Sequence, residues 1–262
     1  MTDNVKTERR GHALIIWNCN AAMRNALTPA YYDGVISGVQ EAAADDGVAA
    51  IVLAGEGDFF CAGGDLNALQ ERRALTYEQR QDKIDKLGDV IRSLRTSPKP
   101  VVAAVEGGAA GAGVSIAMAC DMIVAAEQAK FTLAYVRAGL VPDGAVTYAL
   151  SRALPRATLA RMAMMAEPLG ASRLLDLGVI TETTPAGEAL ARACALADRL
   201  YQFPPQALAE IKQLLNAAES SDFESHLTRE RDAMAQALGG DEALTGITAF
   251  LNKKAPIFRE GD

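Results

Sequence analysis

The chain has 262 residues, of which 50% are hydrophobic and 23% charged, and its formal net charge is −7. This composition is typical of a globular protein that is long enough to bury a substantial core. The excess of acidic side chains argues against general nucleic-acid binding, whereas a local cluster of cations can still bind a small polyanion.

The chain begins with the polar segment MTDNVKTERR, which lacks the apolar stretch of a secretory signal. The later apolar runs are short and interrupted, and none approaches the ~20 residues that a membrane-spanning helix needs. We therefore expect a cytoplasmic protein that does not associate with membranes. The cysteines lie far apart without a C-x-x-C pair, so we predict neither a zinc site nor a disulfide framework.

The first hundred residues predict alternating strands and helices. Short apolar runs at residues 12–17 and 48–54 indicate strands, and a Thr-Pro start predicts a helix over 28–46 between them. A second helix, over residues 76–96, has an apolar stripe and precedes a buried strand at 101–105. Two β–α–β units in succession predict an α/β core with parallel strands.

Two predicted strands run into segments made almost entirely of small residues. The strand at 101–105 continues into GGAAGAG, residues 107–113, and then into an apolar helix. The strand at 48–54 continues into GEGDFFCAGGDL, residues 55–66. Glycine permits tight turns and close backbone approach, so these joints are either packed turns or sites where backbone N–H groups bind a ligand. Two such joints supply the pair of donors that a developing oxyanion needs.

Four motifs in order resemble the crotonase (enoyl-CoA hydratase/isomerase) superfamily, from about residue 12 to residue 258. They are NAAMRNALT, FCAGGDL, KPVVAAVEGGAAGAGVSIAMACD and AKFTLAYVRAGLVPDGA. The resemblance implies an α/β fold, a crotonase-like spiral of ββα units with a C-terminal α-helical region. It also implies an acyl-CoA substrate whose thioester carbonyl lies between two backbone N–H groups, which match Gly64 and Ala112. Coenzyme A is then part of the substrate, and we expect no metal or other cofactor.

Elementary electrostatics agrees with the role that the resemblance gives Ala112. This residue is predicted to start an apolar helix, where the backbone N–H groups lack intrahelical acceptors and the helix dipole is positive. Loss of one oxyanion donor typically costs ~2.7–4 kcal/mol of transition-state stabilisation. The absence of side chains from the joint is explained if its backbone binds the substrate.

The acid–base groups differ from those of the hydratases in this superfamily, which resemble each other in carrying two glutamates. The matching positions here hold Ser115 and Tyr135, which we place in the substrate pocket, and neither is a carboxylate base near neutral pH. Asp143 matches the single acidic residue of the family's enoyl-CoA isomerases, including the ring-opening isomerases of phenylacetate degradation. We predict that Asp143 moves a proton between two carbons. The other interpretation of Asp143 is a turn residue or the N-cap of a helix over 145–154.

Several other activities share this pattern. The competing hypotheses are an enoyl-CoA hydratase that uses unusual groups, a thioesterase or dehalogenase with Asp143 as its reactive group, and an acyl-CoA binder without catalysis. The related dehalogenase carries a histidine on the preceding helix, and residues 76–96 contain none. The order Ser115, Asp143, His226 mimics a serine hydrolase, but Ser115 follows its strand by ten residues rather than directly.

The resemblance also implies contacts with CoA. Arg24 matches a position that contacts CoA in some members, and Lys253 or Lys254 can reach phosphates from the same or a neighbouring subunit. A solvated surface charge is the other interpretation of each cation. In the family the adenine and pantetheine lie along the FCAGGDL segment, whose matching residues here are Cys61, Ala62, Asp65 and Leu66.

The last third of the chain predicts helices. From about residue 185 the pattern is helical, with predicted helices at residues 186–201, 204–218, 222–238 and 241–251. We therefore predict a core over residues 1–200 that binds acyl-CoA and carries catalysis, and a helical region over 201–262 that mediates oligomerisation. The resemblance implies a homotrimer or a hexamer.

Overall fold

The protein is described by a computed structural model that covers residues 4–259. This part of the chain contains nine strands: β1 (Val5–Arg10), β2 (Ala13–Asn18), β3 (Ala50–Gly55), β4 (Val101–Val105), β5 (Gly108–Ala110), β6 (Met122–Ala126), β7 (Lys130–Thr132), β8 (Leu169–Gly170) and β9 (Glu182–Thr184). Six of them form one sheet in the order β1-β2-β3-β4-β6-β9, in which β1 is antiparallel and the other pairs are parallel. A smaller sheet has the order β5-β7-β8.

Eleven α-helices lie in the described residues: α1 (Pro29–Ala44), α2 (Leu66–Arg72), α3 (Tyr77–Thr96), α4 (Ala112–Met118), α5 (Val146–Ala153), α6 (Arg156–Met164), α7 (Ala171–Asp176), α8 (Ala189–Tyr201), α9 (Pro205–Ala218), α10 (Phe223–Leu238) and α11 (Asp241–Leu251). Short 3-10 helices occupy Ala21–Met23 and Ala134–Ala138. The predicted α/β fold with a helical C-terminal part is confirmed.

The predicted starts of α1 and α3 are confirmed, and a threonine caps each of these helices. Thr28 is the N-cap of α1, where its hydroxyl accepts a hydrogen bond from the Tyr31 N–H at 3.2 Å. Thr76 caps α3 through a reciprocal capping box with Gln79. The strands on either side of these helices, β2, β3 and β4, are parallel neighbours, as two β–α–β units require.

The main sheet is buried on both faces. Residues of β3 and β4 such as Ile51, Leu53 and Val101 face a core shared with α1, α3 and α4. The alternate residues, including Val52 and Val102, face α8. Continuous apolar runs are therefore required in the central strands, because each successive side chain enters one of the two apolar layers.

Some strands were not predicted. β1 lies in the polar start of the chain and pairs with β2 at the edge of the sheet, where most of its side chains face solvent. β5, β7 and β8 have three residues or fewer, too few for a periodic pattern. Within residues 4–259, every helix is too short or too polar to span a bilayer.

Candidate active site

The two small-residue joints of the chain lie against each other. Cys61 forms a parallel bridge with Ala109, and the Ala110 N–H donates a hydrogen bond of 2.9 Å to the Cys61 carbonyl. At the next residues the backbones remain in contact, because a Cβ atom on Gly63 would lie 2.6 Å from the Ala110 oxygen. The segments after β3 and β4 therefore converge, although they are far apart in the sequence.

This contact explains the glycines at two positions. Gly63 has φ of +88°, a conformation that side chains disfavour, and its Cα faces the backbone of the second joint. A Cβ on Gly113 would overlap the Cys61 carbonyl and lie 2.9 Å from the Cys61 Sγ. Side chains at either position would push the two joints apart, so the glycines permit the approach itself.

The backbone N–H groups of Gly64 and Ala112 are the two predicted oxyanion donors. Ala112 is the first residue of α4, so its N–H has no acceptor within the helix. Gly64 forms a parallel bridge with Leu27, whose N–H donates a hydrogen bond to the Gly63 carbonyl at 2.8 Å. Across residues 4–259 neither amide donates to a protein acceptor, and both residues line one cavity.

That cavity has a volume of about 420 Å³ and is largely apolar. Its walls come from α2, α3 and the segment before α5, and include Leu66, Leu69, Leu87, Leu140 and Val141. Two cations, Arg72 and Lys83, also line it, and Asp143 is the one acidic residue among the lining residues that the structure describes. A cavity of this kind suits an apolar acyl group with a few fixed polar contacts.

Asp143 lies in a hydrogen-bonded group with Tyr135 and Ser115. The Tyr135 hydroxyl donates to Asp143 Oδ1 at 2.8 Å, and the Ser115 hydroxyl lies 3.2 Å from the Tyr135 oxygen. The Ser115 hydroxyl also donates to the Asp143 carbonyl at 2.9 Å. The alternative role of Asp143 as a helix N-cap is wrong, because Ala145 is the N-cap of α5.

Burial sets the proton affinities in this group. Loss of solvent raises the pKa of Asp143, while the hydrogen bond from Tyr135 and the charge of Arg72 oppose that rise. Burial also raises the pKa of Tyr135, and the nearby Asp143 carboxylate raises it further. Tyr135 is therefore a neutral hydrogen-bond donor near pH 7, and Asp143 is the group able to accept and return a proton.

Gly144 fixes where Asp143 lies. Its φ is +60°, and a Cβ at this position would lie 2.8 Å from the Ser115 Cβ and 2.9 Å from Leu87 Cδ2. The absence of a side chain allows the Pro-Asp-Gly turn to press against α3 and α4. This close packing brings the carboxylate to the cavity wall beside the α4 N-terminus.

The four residues of the FCAGGDL segment that were predicted to contact CoA lie in different environments. Ala62 and Leu66 line the cavity, whereas Cys61 packs beneath it, and burial raises the pKa of its thiol to about 12. Asp65 caps α2 by accepting a hydrogen bond of 2.8 Å from the Asn67 N–H.

The three cations predicted to contact CoA are exposed and do not line the cavity. The Arg24 guanidinium stacks on the Phe59 ring at 4.1 Å, and its carbonyl accepts the Ala62 N–H at 2.9 Å. Lys253 and Lys254 follow α11 on the surface. The described chain alone therefore does not bring these lysines to the acyl cavity, and their contact with phosphates stays a prediction.

The serine-hydrolase interpretation fails on geometry as well as on spacing. The Ser115 hydroxyl is directed at the backbone oxygen of Asp143 rather than at a histidine. His226 lies on α10, where its Nε2 is 3.5 Å from the Glu230 carboxylate.

Two features of the cavity were missed by the sequence analysis. Arg72, at the end of α2, lies close enough to Asp143 to influence its pKa. The direct bond between Tyr135 and Asp143 spans eight positions across a 3-10 turn. Helical or strand periodicity does not predict such a contact. The sequence feature that could have indicated it is the Gly-x-x-Pro-Asp-Gly run, which predicts a tight turn.

Comparison with known proteins identifies the family of the chain. The profile of the family described as "Enoyl-CoA hydratase/isomerase" matches residues 14–261. The chain is 29% identical to 2,3-dehydroadipyl-CoA hydratase of Escherichia coli K12, with 96% of each chain covered. It is 34% identical to 1,2-epoxyphenylacetyl-CoA isomerase of the same organism, with 82% of each covered.

A solved structure of an enoyl-CoA hydratase from Polaromonas sp. JS666 superposes with a TM-score of 0.94 at 42% identity. The match covers 97% of this chain and 99% of the other. Sequence and fold agree, and the chain belongs to the enoyl-CoA hydratase/isomerase family of the crotonase superfamily.

Proposed function

We propose that this acyl-CoA enzyme isomerises an unsaturated acyl-CoA by a 1,3-proton shift, with Asp143 as the group that carries the proton. The observation that supports this most is the cavity itself. It has two unpaired backbone amides, at Gly64 and Ala112, and a single carboxylate among its described lining residues. A one-base reaction needs no second acidic group, since the proton taken from one carbon is returned to another.

The steps follow from where charge develops. The thioester oxygen of a 3-enoyl-CoA accepts hydrogen bonds from the Gly64 and Ala112 N–H groups. Asp143 takes a proton from C2, the C2–H electron pair moves into a dienolate whose charge rests on the thioester oxygen, and the two amides stabilise that charge. The protonated Asp143 then gives the proton to C4, which leaves a 2-enoyl-CoA and the carboxylate as it began.

The raised pKa of Asp143 suits this role. A base acts best when its pKa is near the working pH, and an ordinary aspartate is too weak a base for efficient proton abstraction. Burial in the apolar cavity raises the pKa of Asp143 and so increases its basicity.

Hydration is the second candidate, because several relatives are named as hydratases. That reaction adds water across the double bond and needs a group that activates the water. Ser115 and Tyr135 match the hydratase glutamates. Their hydroxyl groups form hydrogen bonds with Asp143 and with each other. This arrangement favours isomerisation over hydration.

One experiment separates the candidates. Purified enzyme is mixed in D₂O with a 3-enoyl-CoA or with the matching 2-enoyl-CoA, and the products are followed by proton NMR. Isomerisation gives double-bond migration and deuterium at C2 and C4, hydration gives a 3-hydroxyacyl-CoA, and a binder gives neither. Asp143→Asn should abolish migration, whereas Asp89→Asn, at an exposed ion pair on α3, should not. A 3-hydroxyacyl product without migration would overturn the isomerase proposal.

We also propose that residues 1–200 form the catalytic core and that residues 201–262 mediate assembly into a homotrimer or hexamer, in a cytoplasmic enzyme. The support is the surface of α9, α10 and α11, which exposes large apolar side chains. Phe223, Phe250 and Leu251 have 75%, 83% and 76% of their surface exposed. Apolar patches of this kind are typical of protein interfaces.

A further inference from the structure

The Asp143 carboxylate is asymmetric in its contacts. Oδ1 accepts the Tyr135 hydroxyl at 2.8 Å, while Oδ2 has no donor among residues 4–259. Tyr135 is buried and lines the cavity, and its hydroxyl lies 3.2 Å from that of Ser115 on α4. The two carboxylate oxygens are therefore chemically different before any substrate binds.

The protons of the two hydroxyls have defined places. Each hydroxyl carries one proton, and that of Tyr135 is donated to Asp143. The Ser115 proton is consequently shared between two acceptors, the Asp143 carbonyl at 2.9 Å and the Tyr135 oxygen at 3.2 Å. Ser115 thus holds both Tyr135 and the backbone of Asp143, and it is almost fully buried in α4.

We propose that Tyr135 is a positioning residue that occupies one oxygen of Asp143, so that the other oxygen, Oδ2, carries the proton in both transfers. This inference rests on the proposed isomerase function and adds a role for a residue that the sequence analysis placed only as pocket lining. With Oδ1 held by the tyrosine, the carboxyl group cannot rotate freely. One oxygen then removes the proton from C2 and returns it to C4 on the same face of the substrate.

The site has few other charged groups that affect this carboxylate. From α2, Arg72 faces the cavity and lowers the pKa of Asp143; from α3, Lys83 lines the same cavity. From α1, Tyr32 is neutral near pH 7, because burial raises its pKa to about 12. Tyr135 is the described side chain that bonds directly to the Asp143 carboxylate, so its removal should affect this group more than any neighbour.

Titration of the carboxyl group tests the inference without relying on activity. Carbon NMR of protein labelled in its aspartate carboxyl groups, with Asp143→Asn for assignment, gives the pKa of Asp143 in the ligand-free enzyme. Because the tyrosine hydrogen bond favours the ionised form, Tyr135→Phe should raise this pKa. Ser115→Ala should change it less, and Tyr148→Phe, a tyrosine on α5 outside the cavity lining, should leave it unchanged.

Kinetics of the same variants test the positioning role. For isomerisation of a 3-enoyl-CoA, Tyr135→Phe should lower kcat about 10- to 100-fold with little change in KM, because misplacing a reacting group costs rate rather than binding. The acid limb of the pH–rate profile should move to higher pH, and more deuterium from solvent should enter the product as the carboxyl group rotates.

The outcomes remain distinct from those of the isomerase test. If Tyr135→Phe leaves both the Asp143 pKa and kcat at wild-type values, the inference is overturned while isomerisation stands. If the wild-type enzyme does not isomerise, the proposed function fails, and an unchanged Asp143 pKa in Tyr135→Phe would remove the inference as well. A raised pKa in that variant would still support Tyr135 as the group that holds Asp143.

Discussion

The backbone of Gly63 lies directly against that of Ala112: a Cβ atom on residue 63 would be 3.1 Å from the Ala112 nitrogen and 2.6 Å from the Ala110 oxygen. The first residue follows β3 and the second starts α4, so one contact joins the two halves of the proposed oxyanion site. The spacing of its two amides depends on this approach, because no side chain separates the segments.

Gly63→Ala should therefore damage both fold and activity. The added methyl meets the Ala110 carbonyl, and φ of +88° is strained for alanine, so we expect a loss of more than about 1 kcal/mol in the free energy of unfolding. Displacing one donor should lower kcat about 10²- to 10³-fold. Gly187→Ala is the matched control, since φ is +83° there and an added Cβ would meet no atom of residues 4–259 within 4 Å apart from its chain neighbours. Equal activity losses in the two variants would argue against the contact.

Asp143→Asn should stabilise the protein at neutral pH while it abolishes isomerisation. The folded state raises the pKa of Asp143, so it binds a proton more tightly than the unfolded state does. Stability from this group is present at low pH and is lost as pH rises from the ordinary aspartate range through the raised value. Asparagine stays neutral and still accepts the Tyr135 hydrogen bond. Urea unfolding at pH 8 should show the variant as more stable, with the difference disappearing near pH 3.

Much of the fold follows from local patterns in the sequence. The starts of α1 and α3 are set by Thr28 and Thr76, whose caps depend on neighbouring residues and can be recognised directly. The buried strand β4 agrees with its predicted bounds because its five residues are all apolar. β1 was not predicted because it is a polar strand at the edge of the sheet. Its pairing with β2, rather than its own composition, stabilises it as a strand.

The candidate site was harder to predict from the sequence, because its contacts join residues that lie far apart in the chain. The small residues of the two joints indicate that another part of the chain or a ligand approaches closely. The sequence does not show that the two joints pack against each other. The φ of +60° at Gly144 and its packing on Ser115 place Asp143, and these depend on how α3 and α4 lie in the folded chain. The bond between Tyr135 and Asp143 likewise exists only once that turn has packed.

Arg72→Gln should shift the pH dependence of the enzyme. The Arg72 guanidinium favours the ionised form of Asp143 and so lowers its pKa. Without that charge the pKa of Asp143 rises, and the acid limb of kcat/KM should move to higher pH. High salt should reduce the difference between variant and wild type, because it screens charges in a solvent-accessible cavity. Arg73→Gln, the exposed neighbour outside the cavity lining, should keep the wild-type profile.

The exposed face of α11 should prove to be a subunit contact. Leu244 and Phe250 have 68% and 83% of their surface exposed in the single chain. The double variant Leu244→Asp with Phe250→Asp should give a smaller species in sedimentation velocity, with an unchanged circular dichroism spectrum. Thr245→Asp, which adds one charge at an exposed position of the same helix, should assemble normally. A wild-type protein that sediments as a monomer at micromolar concentration would refute the proposed assembly.

Lys212 should prove to be a major contact between α9 and the core. Its side chain has only 5% of its surface exposed, and its Nζ lies 2.8 Å from Asp121 Oδ2 and donates to the Leu94 and Lys99 carbonyls at 2.8 and 3.2 Å. Lys212→Met keeps the apolar stem but removes the ammonium from these oxygens, while Asp121 Oδ2 keeps the Val101 N–H and the Lys99 carbonyl keeps the Ser97 hydroxyl as donors.

Breaking a buried ion pair costs about 3–5 kcal/mol, and the partial exposure of Asp121 reduces our expectation to about 2–3 kcal/mol. Urea unfolding followed by circular dichroism measures this loss, and Lys86→Met, at an exposed position of α3, is the control. Because α9 leads into the helices proposed for assembly, the Lys212 variant should also dissociate at lower urea than it unfolds. A variant as stable as the control would show that the contact contributes little, since the apolar face of α9 and the Asn216 hydrogen bond to the Arg95 carbonyl would then hold the helix.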